Sequence, residues 1–194
     1  MLIALMGPMH VGKSTLAQAL VDNPPLEGVG QGQLRPLATP VKLLGTTLQE
    51  ALDLPTDYIR PLLQALGHGT REVLGDDVWV DYWQNNLPEG YSRNDGPFVV
   101  VDDVRYANEL DACIDGLVIL LIVDREKQWD RYLTSAKFNP AIDKETWLGY
   151  HSHATELLWQ EVLENGEADL ALDTTDMTPA EVEAAVRGFI RAQI

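Results

Sequence analysis

The hydrophobic residues of this chain fall into short continuous runs, separated by segments in which apolar residues recur at helical spacing. Continuous apolar runs are typical of strands that are buried on both faces of a parallel sheet. They cover residues 2–6, 98–101, 117–123 and 170–172, and a weaker run covers 33–37. Strands that alternate with helices predict an open parallel α/β sheet, whose ligands bind at the carboxyl ends of the strands.

Helical segments are predicted between these runs. The first covers 13–21, and residues 40–66 are predicted to be mostly helical, with a break at Leu54-Pro55. The glycine-rich stretch 67–70 is predicted to form a turn before the next helix. That helix carries Trp79, for which core packing is the ordinary explanation and contact with a ligand is the alternative.

Composition limits the classes of protein to consider. With 194 residues, 45% of them hydrophobic, the chain is long enough for one domain with a sizeable core. Its 14 basic and 30 acidic residues give a formal charge of -16. Because neutralising a polymeric phosphate backbone takes clustered Lys and Arg, we expect small-molecule partners rather than a nucleic-acid polymer. No apolar run approaches the roughly 20 residues that cross a bilayer. The single cysteine, Cys113, cannot form an internal disulfide, which fits a reducing cytoplasm.

Residues 7–14 read Gly-Pro-Met-His-Val-Gly-Lys-Ser and match the pattern G-x-x-x-x-G-K-[ST] at every fixed position. The glycines allow backbone N–H groups to surround a phosphate at the positive end of the following helix. Lys13 is expected to bridge the β- and γ-phosphates of ATP, and the Ser14 hydroxyl to ligate Mg²⁺. His10 stands at a variable position, where we expect no special role. The predicted nucleotide-binding residues are Gly7, Val11, Gly12, Lys13, Ser14 and Thr15.

The end of the run 98–101 carries a second informative segment, which begins Asp102-Asp103-Val104-Arg105. Acidic residues here can hold Mg²⁺ through water or accept a hydrogen bond from the group being phosphorylated. Alternation along a strand points Asp102 and Asp103 in opposite directions, and we expect Asp103 to face the site. Arg105 is expected to pair with a phosphate through two hydrogen bonds. A helix N-cap followed by a solvent-facing Arg is the alternative.

Phosphoryl transfer also requires cations over the γ-phosphate, which a lid brings in as it excludes water. Arg125 and Arg131, in the most basic segment of the chain, are predicted to supply them. Lys42 and Arg71 are candidates for contacting the phosphate of an acceptor. An exposed charge on a helix is the alternative for Arg125 and Arg131.

Several segments, taken in order, resemble the deoxynucleoside monophosphate kinases of bacteriophages, a family within the P-loop nucleoside monophosphate kinases. The most distinctive is Asp103-Val104-Arg105-Tyr106-Ala107-Asn108-Glu109. The matching segments are 7–14, 38–42, 62–67 with Arg71 and Trp79-Val80, 103–109 and 153–156. Together they span most of the chain.

The resemblance implies a five-stranded parallel sheet flanked by helices, in the three-layer fold of P-loop NTPases. It also implies a helical region for the monophosphate at about 33–95, a short lid at about 125–140, and ATP with Mg²⁺ as cofactors. The predicted catalytic residues are Lys13, Asp103, Arg105 and Arg131, and Arg125 joins the nucleotide-binding set. The predicted acceptor-binding residues are Lys42, Arg71, Trp79, Asp103, Arg105 and Glu109.

The leading hypothesis is therefore an ATP-dependent kinase that phosphorylates a (deoxy)nucleoside monophosphate. One alternative, a kinase acting on a modified base in phage DNA, needs a basic groove that the acidic composition does not favour. Another, a regulatory P-loop switch that hydrolyses ATP slowly, should have a switch glycine after the acidic residue, where Val104 and Arg105 stand. The sequence leaves open the accepted base, the sugar preference and whether the chain forms a homodimer.

Overall fold

The computed structural model describes residues 1–26, 32–54, 59–88, 97–135, 138–149 and 157–193. Segment 153–156 of the family resemblance lies outside these residues, as do Pro55 at the predicted helix break and parts of the predicted acceptor region and lid. None of the helices in the described ranges is long and apolar enough to cross a membrane.

Five parallel strands form one sheet at the centre of the fold. The first strand, β1 (Leu2–Met6), is apolar and buried along its whole length, which suits its position in the middle. It pairs with β3 (Val99–Val101) on one side and with β4 (Leu117–Ile122) on the other. The edges are β2 (Gln33–Leu34) and β5 (Leu170–Asp173). The order β2-β3-β1-β4-β5 confirms the predicted five-stranded parallel sheet and places the segments that follow β1 and β3 side by side.

Helices cover both faces of this sheet. Within the described residues they are α1 (Lys13–Asp22), α2 (Thr39–Ala51), α3 (Ile59–Leu74), α4 (Val78–Asn85), α5 (Ala107–Asp111), α6 (Arg125–Leu133), α7 (Lys144–Gly149), α8 (Leu158–Asn165) and α9 (Pro179–Ala192). Side chains of β1 alternate between two apolar layers. Ile3 and Leu5 pack in the layer of α1 and α9, and Ala4 and Met6 pack in the layer of α4 and α8. The predicted three-layer arrangement is thereby confirmed.

The predicted turn at 67–70 is wrong, because these residues lie inside α3. Glycine in a helix interior costs about 1 kcal/mol relative to Ala, and contacts with the neighbouring helix offset that cost. Trp79 of α4 donates a hydrogen bond from its indole Nε1 to the carbonyl oxygen of Gly67 at 3.1 Å. Arg71 therefore projects from the last turn of a helix rather than from a loop.

The second strand is shorter than the predicted run 33–37. Arg35 still donates its backbone N–H to the carbonyl oxygen of Val100, but Pro36 has no N–H with which to continue the ladder. Leu37 and Ala38 then turn away from the sheet and lead into α2. This early exit brings the start of α2 next to the end of β3.

Candidate active site

The loop between β1 and α1 has the backbone expected for phosphate binding. Gly7 and Gly12 have positive φ angles of 130° and 109°. No other residue fits at Gly7, since a Cβ there would lie 2.1 Å from the carbonyl oxygen of Leu121. Gly12 is the N-cap of α1, and the first turn of that helix has no acidic residue. The positive end of the α1 dipole therefore faces the loop without a carboxylate of that turn to offset it.

Lys13 is folded over this loop. Its Nζ donates hydrogen bonds to the carbonyl oxygens of Gly7 and Pro8, both at 2.7 Å, and the side chain is buried. An ammonium binds charged phosphate oxygens more strongly than neutral carbonyl oxygens, so the phosphates of a nucleotide can replace these partners. Ser14 and Thr15 follow in the first turn of α1 and are exposed.

A cleft of about 2030 Å³ extends from the loop past the carboxyl end of β3. Most of the residues predicted from the sequence line it. They are Val11, Gly12, Lys13, Ser14, Thr15, Lys42, Arg71, Trp79, Asp103, Arg105, Glu109 and Arg131.

Two predicted residues, Gly7 and Arg125, do not line the cleft. Gly7 contributes through the backbone turn described above. Arg125 is the exposed first residue of α6, one turn before Gln128, which is the first side chain of that helix with a hydrogen bond to the loop. The structure therefore does not bring Arg125 to the nucleotide-binding residues, because it lies too early on the helix.

Asp103 connects β3 to the start of α2. Its carboxylate oxygens accept hydrogen bonds from the backbone N–H groups of Leu37 at 2.7 Å and Ala38 at 3.0 Å. The ammonium of Lys42, which is half exposed, lies 3.9 Å from Asp103 Oδ2. Burial raises the pKa of Asp103, and the charge of Lys42 acts in the opposite direction. The side chain favoured from the sequence thus joins the end of β3 to the start of α2.

Asp102, which the sequence analysis ranked second, also lines the cleft and is buried. No described residue donates a hydrogen bond to its carboxylate. Together with the Ser14 hydroxyl it would offer a Mg²⁺ ion the oxygen ligands that this ion prefers. No group of three or more His, Cys, Asp or Glu side chains in the described ranges is arranged to hold a metal ion. A Mg²⁺ ion here would therefore take its remaining ligands from phosphates and water.

Arg71 is held in place by contacts from α3 and α5. Its Nη2 lies 2.7 Å from Glu109 Oε1, and its guanidinium carbon lies 4.0 Å from the centroid of the Tyr106 ring. A third, weaker contact runs from Nη1 to the carbonyl oxygen of Gly67 at 3.4 Å. The buried Nε has no hydrogen-bond partner among the described residues. Arg71 is thus an oriented cation on the wall of the cleft, with donor capacity left.

Glu109 is the buried partner of this arginine. Its other oxygen, Oε2, accepts hydrogen bonds from the backbone N–H groups of Arg105 at 2.7 Å and Tyr106 at 3.2 Å. Burial raises the pKa of Glu109 to about 7, although the Arg105 amide and the Arg71 guanidinium both act to lower it. The carboxylate therefore fixes the turn that presents Arg105 to the cleft.

Arg131 lies at the opposite end of the cleft. Its Nη1 donates to the carbonyl oxygen of Val11 and to the hydroxyl of Thr174, each at 3.1 Å, and its Nη2 donates to the carbonyl oxygen of Thr174. Burial lowers the pKa of Arg131, with Asp173 acting in the opposite direction. The structure brings this predicted cation to the phosphate loop, where it joins the loop to the end of β5.

The sequence analysis missed the aromatic side chains behind the loop. His10 packs against Tyr132 of α6 and Trp147 of α7, and Trp129 and Phe138 complete this aromatic cluster. Trp147 and Tyr132 are buried, and both line the cleft. The available signal was the presence of Trp129 and Tyr132 in an otherwise charged helix.

Comparison with protein-family models gives no match, and comparison with curated proteins gives none. Solved structures do share the fold. Shikimate kinase from Acinetobacter baumannii, in complex with shikimate, has a TM-score of 0.55 at 15% identity, over 99% of this chain and 93% of that chain. Thymidylate kinase from Candida albicans has a TM-score of 0.53 at 14% identity, over 99% and 91%. Shikimate kinase from Bacteroides thetaiotaomicron has a TM-score of 0.52 at 14% identity, over 99% and 97%.

The chain therefore has the fold of the P-loop kinases, along almost its full length. Identities this low establish the fold alone. Membership of the bacteriophage family and the identity of the acceptor remain predictions from the sequence.

Proposed function

We propose that this protein is an ATP-dependent phosphotransferase, a nucleoside monophosphate kinase that converts a (deoxy)nucleoside monophosphate to the diphosphate. The observation that carries the proposal is the composition of the cleft. A phosphate loop lies at one end, and cationic side chains lie beside aromatic ones at the other. Asp102 and Asp103 follow β3, the neighbour of the strand that leads into the loop, and so lie between these two halves.

The acceptor half suits a ligand that carries both a phosphate and a base. Lys42, Arg71 and Arg105 supply positive charge for the phosphate, and arginine pairs well with phosphate oxygens. Tyr106 supplies aromatic surface of the kind on which a planar base stacks, and the buried Trp79 forms part of the cleft wall. All five line the cleft, in or next to the region 33–95 that we assign to the acceptor. Because Glu109 already orients Arg71, little ordering remains to be done when the acceptor binds.

The transfer itself is an in-line displacement. An oxygen of the acceptor phosphate attacks the γ-phosphorus of ATP, a new P–O bond forms, and the bond to the β,γ-bridging oxygen breaks so that ADP leaves with the electron pair. The attacking oxygen is already anionic at neutral pH, and no general base is required. Lys13 stabilises the charge that develops on the phosphates. Mg²⁺, when bound, neutralises part of the same charge, and Ser14 and Asp102 would hold it.

The proposal is tested by a coupled assay of ADP formation from ATP and Mg²⁺. Each common ribo- and deoxynucleoside monophosphate is supplied in turn, and shikimate serves as a hydroxyl acceptor. We expect one or a few monophosphates to stimulate turnover and shikimate to give none. Lys13→Ala should abolish the signal, whereas Lys127→Ala, which removes an exposed lysine of α6 outside the cleft, should retain it. Stimulation by shikimate alone, or by no acceptor, would overturn the assignment.

A further inference from the structure

Helix α6 contacts three consecutive residues of the phosphate loop. Gln128 donates a hydrogen bond from Nε2 to the carbonyl oxygen of Met9 at 2.5 Å. Arg131 donates from Nη1 to the carbonyl oxygen of Val11 at 3.1 Å. Between these two carbonyls, the ring of His10 packs against the aromatic cluster. The loop is therefore held from outside at three successive positions.

Because peptide groups are planar, these contacts also fix the direction in which two backbone N–H groups point. In a planar trans peptide the C=O and the following N–H point in opposite directions. When Gln128 holds the Met9 carbonyl toward α6, the N–H of His10 must point the other way, away from α6. By the same reasoning, the Arg131 contact with Val11 directs the N–H of the residue that follows Val11. Backbone N–H groups of this kind form the anion site of such a loop.

We propose that Gln128 is a positioning residue of the nucleotide site, which orients the peptide between Met9 and His10 for phosphate binding. The backbone of His10 supports this role, because its φ angle is 57°, in the left-handed region that non-glycine residues seldom adopt. The ring of His10 lies 5.0 Å from that of Tyr132 and 6.5 Å from that of Trp147. Strain of this type persists only where the surroundings hold it, and Gln128 and the cluster do so here.

A purely structural role is the alternative, since a buried glutamine always needs partners. The chain offers a matched control for it. Gln128 is 2% exposed and Gln49 is 3% exposed, but Gln49 lies on α2 and is not among the residues that line the cleft. Replacing either by leucine keeps the approximate volume and removes the polar group. Both replacements should destabilise the fold, and only one should change phosphate binding.

The experiment measures the Kd of ATP and of inorganic tripolyphosphate by calorimetry. For Gln128→Leu we expect both affinities to fall by the same factor, about tenfold for the loss of one oriented donor. Gln49→Leu should bind both ligands as the wild type does. Gln128→Met, which keeps the length of the side chain but has no N–H donor, should show the same direction and decides between the two roles if the leucine variant does not fold. Unchanged affinities in the Gln128 variants, or a loss for ATP without a loss for tripolyphosphate, would overturn the proposal.

This inference rests on the proposed function only in that the loop binds nucleotide. Calorimetry needs no acceptor, so the two proposals can fail separately. If wild-type protein binds ATP and the Gln128 variants bind it equally well, the positioning role fails and the kinase proposal stands. If the wild type binds neither ATP nor tripolyphosphate, both fail. If binding behaves as expected but no monophosphate is phosphorylated, only the kinase proposal fails.

Discussion

The two halves of the cleft are built in different ways. The phosphate half comes from one continuous segment, residues 7–15, in which glycines and the start of α1 place backbone groups. The acceptor half is assembled from α2, α3, α4 and α5, whose side chains reach the cleft and hold one another in place. The pair formed by Arg71 and Glu109 is the clearest example.

This difference decides how each half responds to substitution. A site made of backbone N–H groups tolerates changes at its variable positions, provided that the peptide orientation is kept. A site made of paired side chains does not tolerate substitution in this way, because removing one side chain of a pair leaves the other buried without its partner. We therefore expect substitutions in the phosphate half, other than at Gly7, to change activity with little change in stability. Substitutions in the acceptor half should change both.

The largest effect on activity should come from Lys13→Ala. The ammonium is the charged side chain that the loop itself supplies for the developing charge, and its loss should lower kcat/KM by a factor on the order of 10³. The free energy of unfolding, from urea titration, should change little. A stability loss as large as the activity loss would show that Lys13 serves the fold, and would remove the contrast between the two halves.

Arg71→Met should affect both stability and acceptor binding. The buried Glu109 loses its ion-pair partner and, because burial raises its pKa to about 7 even with Arg71 present, it takes up a proton in the variant. The free energy of unfolding should fall by about 1–3 kcal/mol, while the KM for the acceptor should rise on the order of 100-fold. The double variant Arg71→Met/Glu109→Gln replaces the unpaired acid by a neutral amide. It should regain most of the stability but not the acceptor affinity. Recovery of both would mean that Arg71 does not contact the acceptor.

The two neighbouring aspartates provide a sharper comparison within one dipeptide. Asp102→Asn should lower kcat on the order of 100-fold and raise the Mg²⁺ concentration required, with stability retained. Asp103→Asn weakens the hydrogen bonds from Leu37 and Ala38, so it should lower stability and raise the acceptor KM. Steady-state kinetics at varied Mg²⁺ and urea unfolding separate the two outcomes. If Asp103→Asn instead raised the Mg²⁺ concentration required and Asp102→Asn lowered stability, Asp103 would be the aspartate that holds Mg²⁺.

The smallest effect should be a pH dependence of stability. The pKa of Glu109 is raised from 4.5 to about 7 on folding, so the native state binds more protons than the unfolded state between these values. The contribution of this group to stability is therefore greatest below pH 4.5 and is lost as the pH rises to 7. In Glu109→Gln this contribution is absent. Urea unfolding from pH 5 to 7 should show a flatter profile for the variant than for the wild type, and parallel profiles would contradict the prediction.

The phosphate half could be predicted from the sequence because its parts are adjacent in the chain. A strand, two glycines, a lysine and a helix within residues 2–21 define it, and the structure differs by one residue at the helix end. The strands β1, β3, β4 and β5 could also be predicted, since each coincides with a short apolar run, whereas β2 is shorter than the weaker run 33–37. The turn predicted at residues 67–70 was wrong because glycines favour a turn locally, whereas the contact between Gly67 and Trp79 that stabilises the helix is a tertiary one.

The individual residues of the acceptor half could be predicted from the sequence, but the contacts that these residues make with one another could not. Arg71 and Glu109 are 38 positions apart, and nothing in the local pattern of either shows that they form a buried pair. Nor does the sequence show that Asp103 accepts hydrogen bonds from Leu37 and Ala38, whereas no described residue donates one to the Asp102 carboxylate. Gln128 was missed for the same reason, since a buried glutamine in a charged helix has no local signature.

The most direct test of the central claim follows the phosphorus atom itself. ATP labelled at the γ-phosphate is incubated with the protein, Mg²⁺ and the monophosphate that stimulates turnover best, and the products are separated. The account predicts label in a nucleoside diphosphate, in an amount equal to the ADP formed, and none with Lys13→Ala. Label found only in inorganic phosphate would identify an ATPase or a switch protein and would contradict the account.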